Sequence, residues 1–81
     1  MPTQLLLYST SGCHLCDEAW DIVVPACREM GLEVAQIDIC TDEHLEQLYE
    51  MRIPVAQLQG QELDWPFTTE DLQRFLETYK N

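Results

Sequence analysis

Basic residues are scarce in this chain: only Arg28, Arg52, Arg74 and Lys80, set against fifteen acidic residues, for a formal net charge of −11 over 81 residues. Nucleic-acid binding calls for clustered Lys and Arg against phosphate, and four scattered cations exclude it as the expected partner. Long hydrophobic runs are also missing. The longest apolar stretch, Leu5-Leu6-Leu7-Tyr8, is strand-sized, far short of the ~20 residues of a membrane span. Met1-Pro2-Thr3-Gln4 shows neither the basic residues nor the apolar core of a secretion signal, so a cytoplasmic protein is expected. No repeat, low-complexity segment or linker divides the sequence, and its length corresponds to one domain, residues 1–81. Charge of this sign suits a basic protein surface better than an anionic small molecule, and it also aids solubility.

Hydrophobic residues make up 46% of the chain, enough for a core that folds without staples. Gln4 to Tyr8 reads as a strand buried on both faces. After a polar turn at 9–12, a helix is expected from His14 to Met30, burying Leu15, Ala19, Ile22, Val23, Ala26 and Met30 on one face. Pro25 lies inside it, where a kink rather than a break is expected, and Gly31 is placed to end it with positive φ. Leu32 to Ile39 reads as a second strand. Thr41 or Asp42 caps a short helix burying Leu45, Leu48 and Tyr49, which must stop before Pro54. Val55 to Gln59, a turn at Gly60-Gln61, and Glu62 to Trp65 form a hairpin. Thr68 and Asp71 have capping-box spacing, with Phe67 and Leu72 as the staple, and start a last helix burying Leu72, Phe75, Leu76 and Tyr79. The order is βαβ followed by ββα: an α/β fold whose right-handed crossover gives a four-stranded mixed sheet with helices on its faces.

Four cysteines without a secretion signal point away from a disulfide framework. Cys13 and Cys16 are too close in sequence to cross-brace a fold, and they fall where a buried strand gives way to a helix. There the unpaired N–H groups and the positive end of the helix dipole favour a thiolate, the form that attacks disulfides. A three-residue step puts Cys16 about one turn on, on the same side. Cys13 is then the nucleophile, forming a mixed disulfide that Cys16, deeper in the helix, resolves. His14 adds a favourable charge when protonated, whereas Asp17 and Glu18 oppose a second anion. A proline at Ile53-Pro54, directly before a strand, suits either a turn that holds a cis bond or an ordinary trans proline ending the second helix. Cys27 sits next to the helix core face, and Cys40 reads as a small buried residue.

The segment Tyr8-Ser9-Thr10-Ser11-Gly12-Cys13-His14-Leu15-Cys16 resembles the active-site segment of glutaredoxin-like proteins of the thioredoxin superfamily. Ile53-Pro54-Val55 is similar to that family's cis-proline segment. Glu62-Leu63-Asp64-Trp65-Pro66-Phe67 further resembles a group of short bacterial glutaredoxin-like proteins. The resemblance covers nearly the whole chain. It implies the thioredoxin fold, Cys13 as nucleophile, Cys16 as resolving thiol, and a cis Pro54 that with Ile53 contacts substrate. It implies no bound cofactor, and it offers glutathione as a reductant. Yet Thr10 and Ser11 stand where glutaredoxins usually carry a basic residue, and Trp65 to Asp71 replaces their Gly-Gly pair and Ser-Asp helix start. Glu70, Asp71 and the overall charge repel glutathione carboxylates, so a protein partner, such as a thioredoxin-reductase-like flavoprotein, stands beside glutathione as candidate reductant. The expected partners are disulfide-containing or reducing proteins, met by a monomer.

Two other classes of function fit the same residues. Cys13, Cys16, Cys40 and His44 offer four soft ligands with spacing resembling a zinc site. A redox-inactive adaptor would use the fold for binding alone.

Overall fold

The computed structural model describes residues 3–80, with side-chain surroundings described as far as Thr78, so the expected burial of Tyr79 lies outside the described residues. The apolar run Gln4–Ser9 forms β1, followed by helix α1 (His14–Glu29), strand β2 (Glu33–Asp38) and helix α2 (Glu43–Tyr49). The hairpin β3 (Val55–Leu58) and β4 (Gln61–Asp64) and helix α3 (Thr69–Lys80) complete the chain. The sheet order is β2-β1-β3-β4. β1 runs parallel to β2 and antiparallel to β3, and β3 antiparallel to β4, so the sheet is mixed.

Alternation along the central strands divides the core. Leu5 and Leu7 of β1, with Ala56 and Leu58 of β3, face α1 and α3 and meet Ala19, Val23, Ala26, Phe67, Leu72 and Leu76. Tyr8 and Val55 face the opposite side and meet Ile39 and Tyr49, with Leu45 packed against them. Helices therefore cover both faces.

Local signals account for most boundaries. Gly31 (φ 72°) follows the C-cap of α1, where Leu32 N–H donates to Cys27 O (2.9 Å) and Gly31 N–H to Arg28 O (3.2 Å). This pair of bonds satisfies carbonyls that the last turn leaves open. α1 runs unbroken through Pro25. Asp42, rather than Thr41, caps α2, its Oδ1 accepting from His44 N (2.8 Å). At α3 the capping box closes in both directions: Asp71 N–H donates to Thr68 Oγ1 (3.1 Å) and Thr68 N–H to Asp71 Oδ2 (3.0 Å).

Four expectations are corrected. The hairpin turn is Gln59-Gly60, both at positive φ, because Leu58 pairs with Gln61 across a two-residue loop. Leu15 is 45% exposed, since the first turn of α1 directs Cys16 inward and leaves Leu15, one position earlier, outside the packed face. Leu48 is 48% exposed, because Leu45 and Tyr49 occupy the one side of α2 that meets the sheet. Cys40 is exposed: a 3₁₀ turn over Ile39–Thr41 buries Ile39 and turns its neighbour outward.

Candidate active site

The parallel crossover fixes where the cysteines lie. β1 ends at Ser9, Gly12 adopts φ 75°, and Cys13 becomes the N-cap of α1 with extended backbone angles (φ −94°, ψ 106°). In place of the usual hydroxyl or carboxylate, its sulfur caps the helix: Cys16 N–H points at Cys13 Sγ at 3.2 Å. A thiolate accepts such a bond better than a thiol does, and the helix end reinforces it. Cys13 is partly exposed, whereas Cys16 is 1% exposed.

Burial, the largest influence, pushes the Cys16 thiol up to about 12. Its hydrogen bond to Cys13 and the charges of Cys13 and Asp17 act in the same direction, and the Thr10 backbone acts against them. The two sulfurs thus differ in role by environment: one reachable and held by an N–H, the other dry and kept protonated. His14 is exposed on the first turn. Cys27 is fully buried beneath α1, and burial raises its thiol to about 11.

The Ile53-Pro54 segment joins this site through strand register. Val55 pairs with Tyr8, one residue before the strand gives way to the cysteine loop. The Ile53-Pro54 bond is cis, as is Trp65-Pro66. Ile53 N–H donates to Tyr49 O (3.0 Å), and Pro54 O accepts from Trp65 N–H (3.2 Å). Trp65 is half-buried and meets Phe67 edge to face, ring centroids 5.0 Å apart, while Phe67 belongs to the core.

Two features escape a reading of the sequence. Thr10 connects two cysteines, its backbone hydrogen-bonding to Cys16 and its Oγ1 lying 3.3 Å from Cys40 Sγ. A polar cluster also sits behind Pro54. Tyr49 OH donates to Glu62 (2.6 Å), Arg52 pairs with Glu62 (2.8 Å) and Asp64 (2.7 Å), and the guanidinium lies 5.2 Å from the Tyr49 ring centroid. Tyr49 in turn stacks on Tyr8 at 4.3 Å. The one available signal was Glu62 and Asp64 two apart on a strand, hence on one face.

Among the described residues, no three His, Cys, Asp or Glu side chains are grouped to hold a metal ion, so Cys13, Cys16, Cys40 and His44 do not assemble as a ligand set. No helix among them is long and apolar enough to cross a membrane. A cavity of about 290 Å³ flanks the cysteine loop, lined by Ser9, Thr10, Ser11 and Gly12 with Asp17, Gln36 and Asp38. A larger one, about 440 Å³, lies at the hairpin end of the sheet and is lined by Leu58, Gln59, Gln61, Phe75 and Thr78, none of which is a nucleophilic cysteine or a charged group.

Residues 4–77 match the family model described as Glutaredoxin-like domain (DUF836). The X-ray structure of target protein XcR50 from X. campestris is 36% identical, with a TM-score of 0.80 over 91% of this chain and 96% of that one. The solution structure of protein Ne2328 from Nitrosomonas europaea is 28% identical, with a TM-score of 0.76 over 93% and 92%. Thioredoxin 1 from Thermosipho africanus TCF52B is 11% identical and superimposes with a TM-score of 0.66 over 96% and 99%, which places the chain in the thioredoxin fold. No curated protein matches the sequence.

Proposed function

The chain belongs to the glutaredoxin-like domain family, and on that premise we propose that it is a thiol–disulfide oxidoreductase working through Cys13 and Cys16. The observation that carries the reading is the capping geometry: a partly exposed Cys13 sulfur receiving the Cys16 N–H at 3.2 Å, backed by a buried Cys16.

The Cys13 thiolate attacks one sulfur of a substrate disulfide. The substrate S–S bond breaks, a Cys13–substrate S–S bond forms, and the departing sulfur takes up a proton. Cys16 then loses its proton and attacks Cys13 Sγ, releasing the second substrate thiol and leaving a Cys13–Cys16 disulfide. Two of the influences that hold Cys16 protonated, the hydrogen bond to Cys13 and the charge on Cys13, vanish once Cys13 is in the mixed disulfide. The resolving thiol is therefore released for reaction when it is needed. A dithiol protein or two thiol molecules close the cycle by taking the oxidising equivalents. Ile53 and Pro54, set beside the cysteine loop by the register of β3 on β1, contact the substrate chain. His14 modulates the charge at Cys13. The working compartment is the reducing cytoplasm.

Cys16→Ser tests the mechanism. Incubated with a protein or glutathione disulfide, the variant accumulates a mixed disulfide at Cys13, read as a mass increment on that peptide, while the native chain passes on to an internal disulfide. Absence of any adduct at Cys13 overturns the assignment.

A further inference from the structure

The charges around the cysteines are distributed unevenly. Arg28 lies in the last turn of α1, fourteen residues and thus roughly 20 Å along the helix from its start at His14. Arg74 is held by Asp71 at 2.8 Å on α3. Arg52, directly preceding Ile53-Pro54, is the one described cation next to the proposed substrate segment, and it is already engaged. Its Nη2 lies 2.8 Å from Glu62 Oε1 and 2.7 Å from Asp64 Oδ1, and its Nε 3.4 Å from Asp64 Oδ2. Two carboxylates answer one guanidinium, so the cluster sums to −1. Its donors point along the acidic edge strand β4, and the Tyr49 ring covers one face.

On the other flank of the cysteine loop, the 290 Å³ cavity is lined by two carboxylates, Asp17 and Asp38, and by no Lys or Arg. Its remaining walls are polar, with Ser9 98% buried at its floor. Apolar side chains are exposed beside both the cysteines and Arg52. Leu15, with His14, separates the two cysteines and is 45% exposed; Met51 immediately precedes Arg52 and is 91% exposed. Apart from His14 on the first turn of α1, an anionic substrate meets no unpaired Lys or Arg among the described residues here. A chain with an apolar residue and a Lys or Arg near its disulfide finds both complements.

Resting on the disulfide-exchange reading, we propose that the substrates are proteins whose disulfides are flanked by basic residues. These dock on Leu15 and Met51 with a cation directed to Asp17 and Asp38. Glu62 and Asp64 set this preference by cancelling Arg52, the one arginine beside the proposed substrate segment that could otherwise receive an anionic disulfide such as that of glutathione. Opposite potentials across an interface raise encounter rates and suppress like-charged partners.

The test is single-turnover oxidation of the reduced chain, followed by mass spectrometry of quenched samples. It compares two disulfide peptides of equal length, one with Lys and Arg beside its cysteines and one with Glu and Asp, and glutathione disulfide. In low salt the basic peptide reacts about tenfold faster than the acidic one, and the advantage shrinks toward unity in 0.5 M salt. In Asp64→Asn, which keeps the Tyr49–Glu62 bond and lies on an exposed strand, glutathione disulfide and the acidic peptide react severalfold faster than with the native chain. Glu62→Gln/Asp64→Asn enlarges that gain, and Arg52→Gln shows none. Equal rates for both peptides at every salt concentration overturn the docking proposal while leaving disulfide exchange intact. An unchanged glutathione rate in folded Asp64→Asn overturns the role of the clamp. Failure of all three disulfides to oxidise Cys13 and Cys16 refutes disulfide exchange itself.

Discussion

Cys16 should be the least reactive of the two site thiols toward an alkylating reagent, by a margin that follows from its environment. Burial first, then the hydrogen bond to Cys13, raise its thiol from 9.0 to about 12. Only the thiolate reacts. At pH 8 an unperturbed thiol of that type is about one-tenth ionised, whereas Cys16 is ionised to about one part in ten thousand, a thousandfold reduction. Iodoacetamide labelling of the reduced protein, quenched at intervals and mapped by peptide mass, reads this directly. Cys13 is carboxamidomethylated first and Cys16 lags by at least two orders of magnitude. Steric burial slows Cys16 too, so the pH profile supplies the discriminating arm. Ionisation control makes the Cys16 rate climb about tenfold per pH unit up to the limit of folding; steric control levels off near the ordinary thiol range. Cys13→Ala removes the hydrogen bond and the neighbouring charge while leaving the burial, so Cys16 in that variant labels faster than in the native chain. Equal labelling of Cys13 and Cys16 at pH 8, or no acceleration in Cys13→Ala, refutes the division of labour between the two sulfurs.

Two further predictions concern stability. Thr68→Ala removes one arm of the reciprocal cap on α3 and should cost about 1 kcal/mol, measured as a lowered urea midpoint with unchanged slope. The Tyr49 hydroxyl, followed by Arg52, holds the Glu62 carboxyl below its ordinary value. A depressed carboxyl contributes stability above its unfolded value of about 4.3 and loses it as pH falls through the lower folded value. Urea midpoints of the native chain therefore fall between about pH 5 and pH 3 more steeply than those of Glu62→Gln; parallel curves would show that Glu62 carries no such linkage.

Most of the architecture was legible because its signals are local. The capping box at Thr68 and Asp71, Gly31 after the first helix and the apolar run of β1 each specify their own element through bonds made within a few residues. The placement of Cys13 and Cys16 at a strand-to-helix junction was legible for the same reason. What misled was burial in short or terminal segments. Leu15 and Leu48 have helical spacing, but spacing states only which residues share a face and not whether another element covers it. Cys40 illustrates a further limit: a three-residue 3₁₀ turn after β2 suffices to reverse which neighbour faces inward. The clamp of Tyr49, Arg52, Glu62 and Asp64 was illegible because it joins the end of one helix and the turn after it to an edge strand across ten to thirteen residues. Nothing local in Arg52 announces which carboxylates it will meet.

The unequal division of the core has a dynamic consequence. Twelve buried side chains lie between the sheet and helices α1 and α3, but only four described ones lie on the face that α2 covers. Opening free energy follows local burial, so α2 and the turn before it form the unit that detaches first while the rest of the sheet stays closed. Amide hydrogens of residues 43–50 should therefore exchange earlier than those of β1 or β3. Met51 and Arg52 sit at the far end of that unit, which makes their half of the docking surface the softer one. A partner that settles on it would damp this local breathing, and the protection of α2 amides would report docking even where no sulfur chemistry follows.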